Sequence, residues 1–324
     1  MAAPRSATVD PVLRGELIEL LASSSQGKNP VGTDLRTETP EALSVRCVLF
    51  DVYGTLFMSA SGDVGSAKTE SLTVHFEGAM ERAGFKILEA AAPSEAEQRY
   101  FQEIRNAHAD ARGRGVDYPE VDIIEIWTSV LAGLIVDRAI SLSEVQSSDF
   151  ETRAYLAATA YEVLSNPVQP MPGMLELISN LSKSELLLGI VSNAQFFTPL
   201  LFPAFLGKSH TLLGFRDDLC SWSYLAGRAK PSGLIFDPLL ERLSRKGIAA
   251  DAVLYVGNDM LNDVWAAREA GCRTALFAGD KRSLRLRTDD PRCKDLVPDL
   301  VVVSLLDLLD PLGLPVKGKK GSAR

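Results

Sequence analysis

Five short apolar runs most constrain how this chain can fold: "VRCVLF", "LLLGIV", "AVLYVG", "RTALFAG" and "DLVVVS". Each is continuously apolar and rich in β-branched residues, the pattern of a strand buried on both faces rather than one lying half in water. Helical or loop sequence separates each run from the next. Strands that alternate with such connections form a doubly wound parallel sheet, so a Rossmann-like α/β fold is expected.

The first two runs are too far apart for a single crossover. The intervening sequence reads almost wholly as helix, in "TESLTVHFEGAMERAGF", "SEAEQRYFQEIRNAHADARGRG" and "PEVDIIEIWTSVLAGLI". A helical cap inserted after the first strand accounts for it, with the chain returning through the Pro and Gly of "NPVQPMPGMLEL". The expected organisation is a catalytic core of residues 45–58 and 170–310, a cap over 59–169, a flexible N-terminal extension over 1–44 and a basic disordered tail over 311–324. One short amphipathic helix, Val12 to Leu21, is expected within the extension.

At 324 residues, 46% hydrophobic and 23% charged, the chain can bury a sizeable core. Its formal charge of −8 argues against a general nucleic-acid surface, which needs clustered Lys and Arg. No membrane partner is expected either, because the acidic N-terminal stretch lacks a long apolar segment. Cys47, Cys220, Cys272 and Cys293 are scattered without a C-x-x-C pair, which favours reduced thiols and a cytoplasmic setting.

Polar residues follow the strand runs in order: Asp51 after the first, Ser192 and Asn193 after the second, Lys230 in "GRAKPSGLIF", then Asp259 and Asp263 in "YVGNDMLNDV". In an open parallel sheet the carboxyl ends of the strands converge on one crevice. Together these residues compose a nucleophilic displacement. Asp51 attacks and forms an aspartyl intermediate, Ser192 and Lys230 hold the anionic group, and the last acids hold a cation. Gly54 permits a sharp turn beside Asp51 and Thr55 fixes a side chain there.

With the motifs "DVYGTL", "IVSN", "AKPSGLIF" and "GNDMLND" in that order, the chain resembles the haloacid dehalogenase superfamily of hydrolases over about residues 45 to 305. The resemblance implies a helical-cap enzyme, with a phosphatase acting on a small phosphorylated, anionic molecule as the expected activity. It also implies Mg²⁺ held by Asp51, the backbone carbonyl of Tyr53 and an acid of the last motif. Asp259 with Asp263 is the expected acid pair. The spacing also admits an alignment in which Asn258 replaces the first acid.

One departure bears on the chemistry: most phosphatases of this superfamily carry a second Asp where this chain has Tyr53. The 2-haloacid dehalogenases share D-x-Y-G-T-L and need no metal, so they are the competing enzyme reading. Against them stand the acids of "GNDMLND", the lack of an Arg segment after the first motif, and Phe236 where those enzymes usually show Tyr. A third reading is a phosphometabolite-binding protein with weak turnover. Within the cap, Arg105, His108 and Arg112 form either an anion-recognition set or a solvated face. Gly62, Asp63 and Gly65 mark a flap or an ordinary loop. Trp127 is expected in the cap core, and His75 and His210 are expected to be structural.

Overall fold

The computed structural model describes residues 9–24, 29–40, 42–59, 72–142 and 149–315. Its strands are β1 (Cys47–Phe50), β2 (Phe57–Ser59), β3 (Phe85–Ile87), β4 (Ile140–Leu142), β5 (Val168–Pro170), β6 (Leu187–Ser192), β7 (Phe215–Trp222), β8 (Val253–Gly257), β9 (Arg273–Phe277) and β10 (Leu300–Val302). The helices are α1 (Pro11–Ala22), α2 (Thr73–Arg82), α3 (Ala92–Gly113), α4 (Ile123–Val136), α5 (Phe150–Ser165), α6 (Met174–Leu181), α7 (Leu201–Leu206), α8 (Ser223–Ala226), α9 (Asp237–Ser244) and α10 (Ala266–Glu269).

Six strands form one parallel sheet in the order β10-β9-β8-β1-β6-β7. This is the expected α/β fold class. All five apolar runs are strands of this sheet. Its alternation sends Cys47 and Leu49 to one apolar layer, shared with Leu239 and Leu243 of α9, and Val48 and Phe50 to the other, shared with Leu177 and Leu181 of α6. Burial on both faces explains why β1 reads as a continuous apolar run. The sixth strand, β7, has no such run: Arg216, Asp217 and Asp218 are exposed on it, as suits an edge strand.

Between β2 and β5 the chain builds a helical layer from α2 to α5, with β3 and β4 paired antiparallel. The outgoing β2 and returning β5 are themselves an antiparallel pair, which fastens the two crossings to each other. Trp127 is fully buried in this layer beside Phe76 and Tyr161, at centroid distances of 5.5 and 5.7 Å, in agreement with a core role. The segment holding Gly62, Asp63 and Gly65 lies outside the described residues.

The expected flexible extension differs in its described parts. Asp10 caps α1 through Val12 N at 2.8 Å, and Leu13, Leu17 and Leu21 form one buried stripe. That stripe packs on α5 of the insert and α7 of the core. Residues 29–40 then run along the sheet edge, where Glu38 exchanges backbone hydrogen bonds of 2.8 Å with Val301. Fixed apolar and ladder contacts account for the order here. At the other end Pro311 is buried and its carbonyl accepts from Leu43 N at 2.7 Å, so residues 311–315 do not belong to a free tail, and 316–324 lie outside the described residues. All four cysteines are free, and among the described residues no helix is long and apolar enough to cross a membrane.

Candidate active site

Asp51 directly follows central strand β1 and extends its ladder, donating from its backbone N to Val256 O at 2.9 Å. The turn after it depends on Gly54, whose φ of +82° is left-handed. A Cβ at that glycine would sit 2.6 Å from Asn258 Nδ2 and 2.8 Å from Ser283 Cβ. Thr55 Oγ1 donates to Asn258 Oδ1 at 3.1 Å, and Asn258 Nδ2 donates to Ser283 O at 2.6 Å. Asn258 thus lies against the Asp51 turn with both ends of its amide engaged. The Tyr53 side chain is buried, its hydroxyl 3.0 Å from Thr198 Oγ1.

Lys230 reaches the same place from the loop after α8. Asn193 holds its backbone from both sides: Lys230 N donates to Asn193 Oδ1 at 2.7 Å and Asn193 Nδ2 donates to Lys230 O at 3.1 Å. The side chain is then delivered between two carboxylates. Lys230 Nζ donates to Asp51 Oδ1 at 2.7 Å and to Asp263 Oδ1 at 2.6 Å, with all three side chains buried. Asp263 comes from a π-helical turn, Met260–Trp265, that bends it back over Gly257. A Cβ at Gly257 would lie 2.2 Å from Asp263 Cγ, so only glycine leaves room for this approach.

Burial dominates the electrostatics, pushing the Asp51 carboxyl up to about 7. The Lys230 ammonium opposes that rise, as does a hydrogen bond from Ser192, while the neighbouring Asp263 charge adds to it. Burial alone would lower Lys230, yet Asp263 and Asp51 hold it above its ordinary value. Burial, with Glu162 next in effect, drives Tyr53 well above the usual phenol range.

The structure therefore gathers Asp51, Ser192, Lys230 and Asp263, with Thr55 and Asn193 fixing the two loops. Asp259 does not join them. Its Oδ1 caps the π-turn through Leu261 N at 2.8 Å and Asn262 N at 3.1 Å, and its carboxylate is paired with Arg287 at 2.6 Å. Of the two motif alignments, the one with Asn258 in the first acid's place describes which side chain lies against the Asp51 turn. Asp51, Asp263 and the Tyr53 carbonyl are the oxygens that could hold a cation, with Lys230 donating to both carboxylates and Asp259 N donating to Asp263 Oδ2 at 2.9 Å. Among the described residues no three His, Cys, Asp or Glu side chains gather as a metal cage. A donor set this sparse fits Mg²⁺, which binds through one or two carboxylates and keeps waters or substrate phosphate oxygens.

Arg105 and Arg112 are exposed on α3 and His108 is half-buried; no hydrogen bond of these residues reaches the cluster among the described residues. His210 packs by Phe202 and Trp222, with Nε2 3.4 Å from Asp217, and His75 lies on α2. Two features escaped sequence reasoning. Tyr255 lies beneath Lys230, and its only sequence signal is a tyrosine within an apolar strand. Gln195 joins the helical layer to the core, donating to Val121 O at 2.9 Å and accepting from Ile123 N at 3.0 Å.

A family model for haloacid dehalogenase-like hydrolases matches residues 45–271. Comparison with curated proteins gives no match. Among solved structures, the chain is similar to a 2-haloacid dehalogenase from Pseudomonas syringae pv. Tomato at 19% identity, covering 82% of this chain and 96% of that one, with a TM-score of 0.44. A haloacid dehalogenase-type phosphatase from Thermococcus onnurineus matches at 17%, with coverage of 82% and 96% and a TM-score of 0.43. A predicted phosphoglycolate phosphatase from Haemophilus somnus matches at 17%, with coverage of 82% and 97% and a TM-score of 0.45. The activities in these names differ, and the choice of chemistry rests on the residues of this chain.

Proposed function

This chain belongs to the haloacid dehalogenase-like hydrolase family, and from that premise we propose that it is a phosphatase of small phosphorylated molecules that works through an aspartyl intermediate on Asp51. The observation that carries this reading is the buried Asp51–Lys230–Asp263 cluster at the strand ends. Two carboxylates and one ammonium carry a net charge of −1 when all are ionised. Such a site repels a lone anion, so a phosphate needs a cation to accompany it. Asp51, Asp263 and the Tyr53 carbonyl would hold Mg²⁺, which supplies that positive charge when bound.

The chain's own residues account for the rest. An Asp51 carboxylate oxygen forms a bond to phosphorus as the bond to the leaving oxygen breaks. Lys230 orients the carboxylate and lowers the cost of its burial. Ser192 is buried at the end of β6 beside Asp51, its hydroxyl donating to Asn193 O at 3.2 Å, and is the residue that would meet the group under attack. Water then attacks the phosphorus of the acyl phosphate and returns Asp51 as a carboxylate. Tyr53, held on Thr198 and driven well above the usual phenol range, is a poor proton donor, so substrates whose leaving oxygen departs unprotonated suit the site best.

A metal-independent 2-haloacid dehalogenase is the second reading. It is favoured by the same Tyr53 and by Asn258 standing where an acid would bind metal, since a halide leaves without a proton. Phosphate and halide release, each measured with Mg²⁺ and with chelator, separates the two. Mg²⁺-stimulated phosphate release supports the phosphatase, and chelator-resistant halide release replaces it with the dehalogenase.

A further inference from the structure

An ammonium has three N–H donors, and in this site all three are used. Beyond its bonds to Asp51 and Asp263, Lys230 Nζ donates to Tyr255 Oη at 2.6 Å. Tyr255 comes from β8, two residues before the strand's last position, and is 1% exposed. Its ring packs edge-on against Phe236 at 5.0 Å, within the layer that also holds Leu239. The phenol has a single hydrogen of its own. That hydrogen has Val191 O at 2.6 Å as its short acceptor, with Asp263 Oδ1 more distant at 3.2 Å. Toward Lys230, therefore, the oxygen acts as acceptor.

We propose that Tyr255 is a positioning residue for the nucleophile: its hydroxyl holds the Lys230 ammonium where it reaches both carboxylates, and its hydrogen ties the cluster to the carbonyl preceding Ser192. The proposal rests on the aspartyl-hydrolase reading of the site. A lysine side chain is a flexible four-carbon stem ending in a compact charge, and two carboxylates leave its third N–H without a partner. A neutral acceptor on the third N–H supplies the missing restraint without adding a third negative charge. It also prevents a buried N–H from going unmatched, which is costly. With every donor engaged, Lys230 serves as a fixed charge that aims Asp51, and it has no N–H left for the substrate while these bonds hold. Tyr255 also links the strands that carry the site, because Val191 lies on β6 immediately before Ser192.

Tyr255→Phe removes the hydroxyl and keeps the ring packed on Phe236. With an aryl phosphate as the probe, kcat is expected to fall on the order of tenfold to a hundredfold while KM stays within about twofold, the split expected when a group aims the nucleophile and does not bind substrate. A second readout needs no activity. In ¹H–¹⁵N spectra of the full chain, the triply bonded Lys230 ammonium should exchange slowly enough with water to give a signal, assigned by its loss in Lys230→Arg, and Tyr255→Phe should abolish that signal. Leu239→Ala, in the same apolar layer, should lower Tm yet retain the signal and the native ratio of kcat to KM. A native protein without a protected Lys230 ammonium overturns the proposal, as does a Tyr255→Phe variant with native signal and native kcat. If the signal is lost as expected but the native protein hydrolyses no phosphate or haloacid, Tyr255 keeps its positioning role and the hydrolase reading fails instead.

Discussion

At the scale of single residues, the site is defined by which partner each acid meets. Both Asp259 and Asp263 are buried acids of one short motif, yet Arg287 and a helix cap hold the first away from the cluster, while the second meets Lys230 through Oδ1 and the Asp259 backbone N through Oδ2. Asp263→Asn should therefore raise the Mg²⁺ concentration needed for half-maximal activity by an order of magnitude or more, with Asp259→Asn altering chiefly Tm; magnesium titration of the two variants checks this. Tyr53 leads to a different expectation. Its neutral, buried phenol cannot readily protonate an alkoxide, so rates across aryl and alkyl phosphates should fall steeply as leaving-group pKa rises. Tyr53→Asp should flatten that slope under single-turnover conditions, and an already flat native slope would mean that another group donates the proton. Asp51 and Ser192 were legible in the sequence because strand ends of a parallel sheet share one crevice, and Lys230 was legible only through the motif "AKPSGLIF". The choice among Asn258, Asp259 and Asp263 was not, since letter spacing does not reveal that a π-turn swings Asp263 inward.

Secondary-structure elements explain how the helical layer is held against the core. Helix α1 was recognised by its apolar spacing, but nothing local could reveal that its stripe seats between α5 and α7, a contact made across more than a hundred residues of chain. Leu17 is fully buried in that stripe. Leu17→Ala should cost about 2–5 kcal/mol in denaturant unfolding, and hydrogen exchange should quicken along α5 before it quickens in β1. Near the outgoing and returning strands, Ser59 Oγ donates to Asn166 Oδ1 and Asn166 Nδ2 donates to Glu162 Oε1, each at 2.8 Å. Burial raises the Glu162 carboxyl from 4.5 to about 7. A carboxyl raised on folding binds its proton more tightly in the native state, so its stabilising effect is complete below its unfolded value and is lost as pH rises through about 7. Glu162→Gln, which keeps a neutral side chain, should gain on the wild type by roughly 3 kcal/mol between pH 5 and pH 8. Urea unfolding of both proteins at the two pH values measures the difference, and an unchanged gap would mean that Glu162 does not titrate in this range.

For the whole molecule, the parallel sheet and the expectation of a site at its strand ends follow from the same five apolar runs, because a strand buried on both faces belongs to a sheet covered by helices, whereas the strand order does not. The edge strand β7 escaped notice for the complementary reason: its exposed Arg216, Asp217 and Asp218 break the apolar pattern. Lys230 still comes from the connection after that strand, so the fold brings a residue from an unpredicted element to a predicted crevice. The proposed aspartyl mechanism requires Asp51 to become covalently bonded to phosphorus in the first half of each turnover. Acid quenching during a single turnover of an aryl phosphate with Mg²⁺, followed by mass spectrometry of the peptide that contains residues 47–57, tests it directly. A phosphoryl adduct on Asp51 should appear before inorganic phosphate and be absent in Asp51→Asn; full turnover by that variant, or phosphate release with no adduct at any time point, would contradict the aspartyl mechanism.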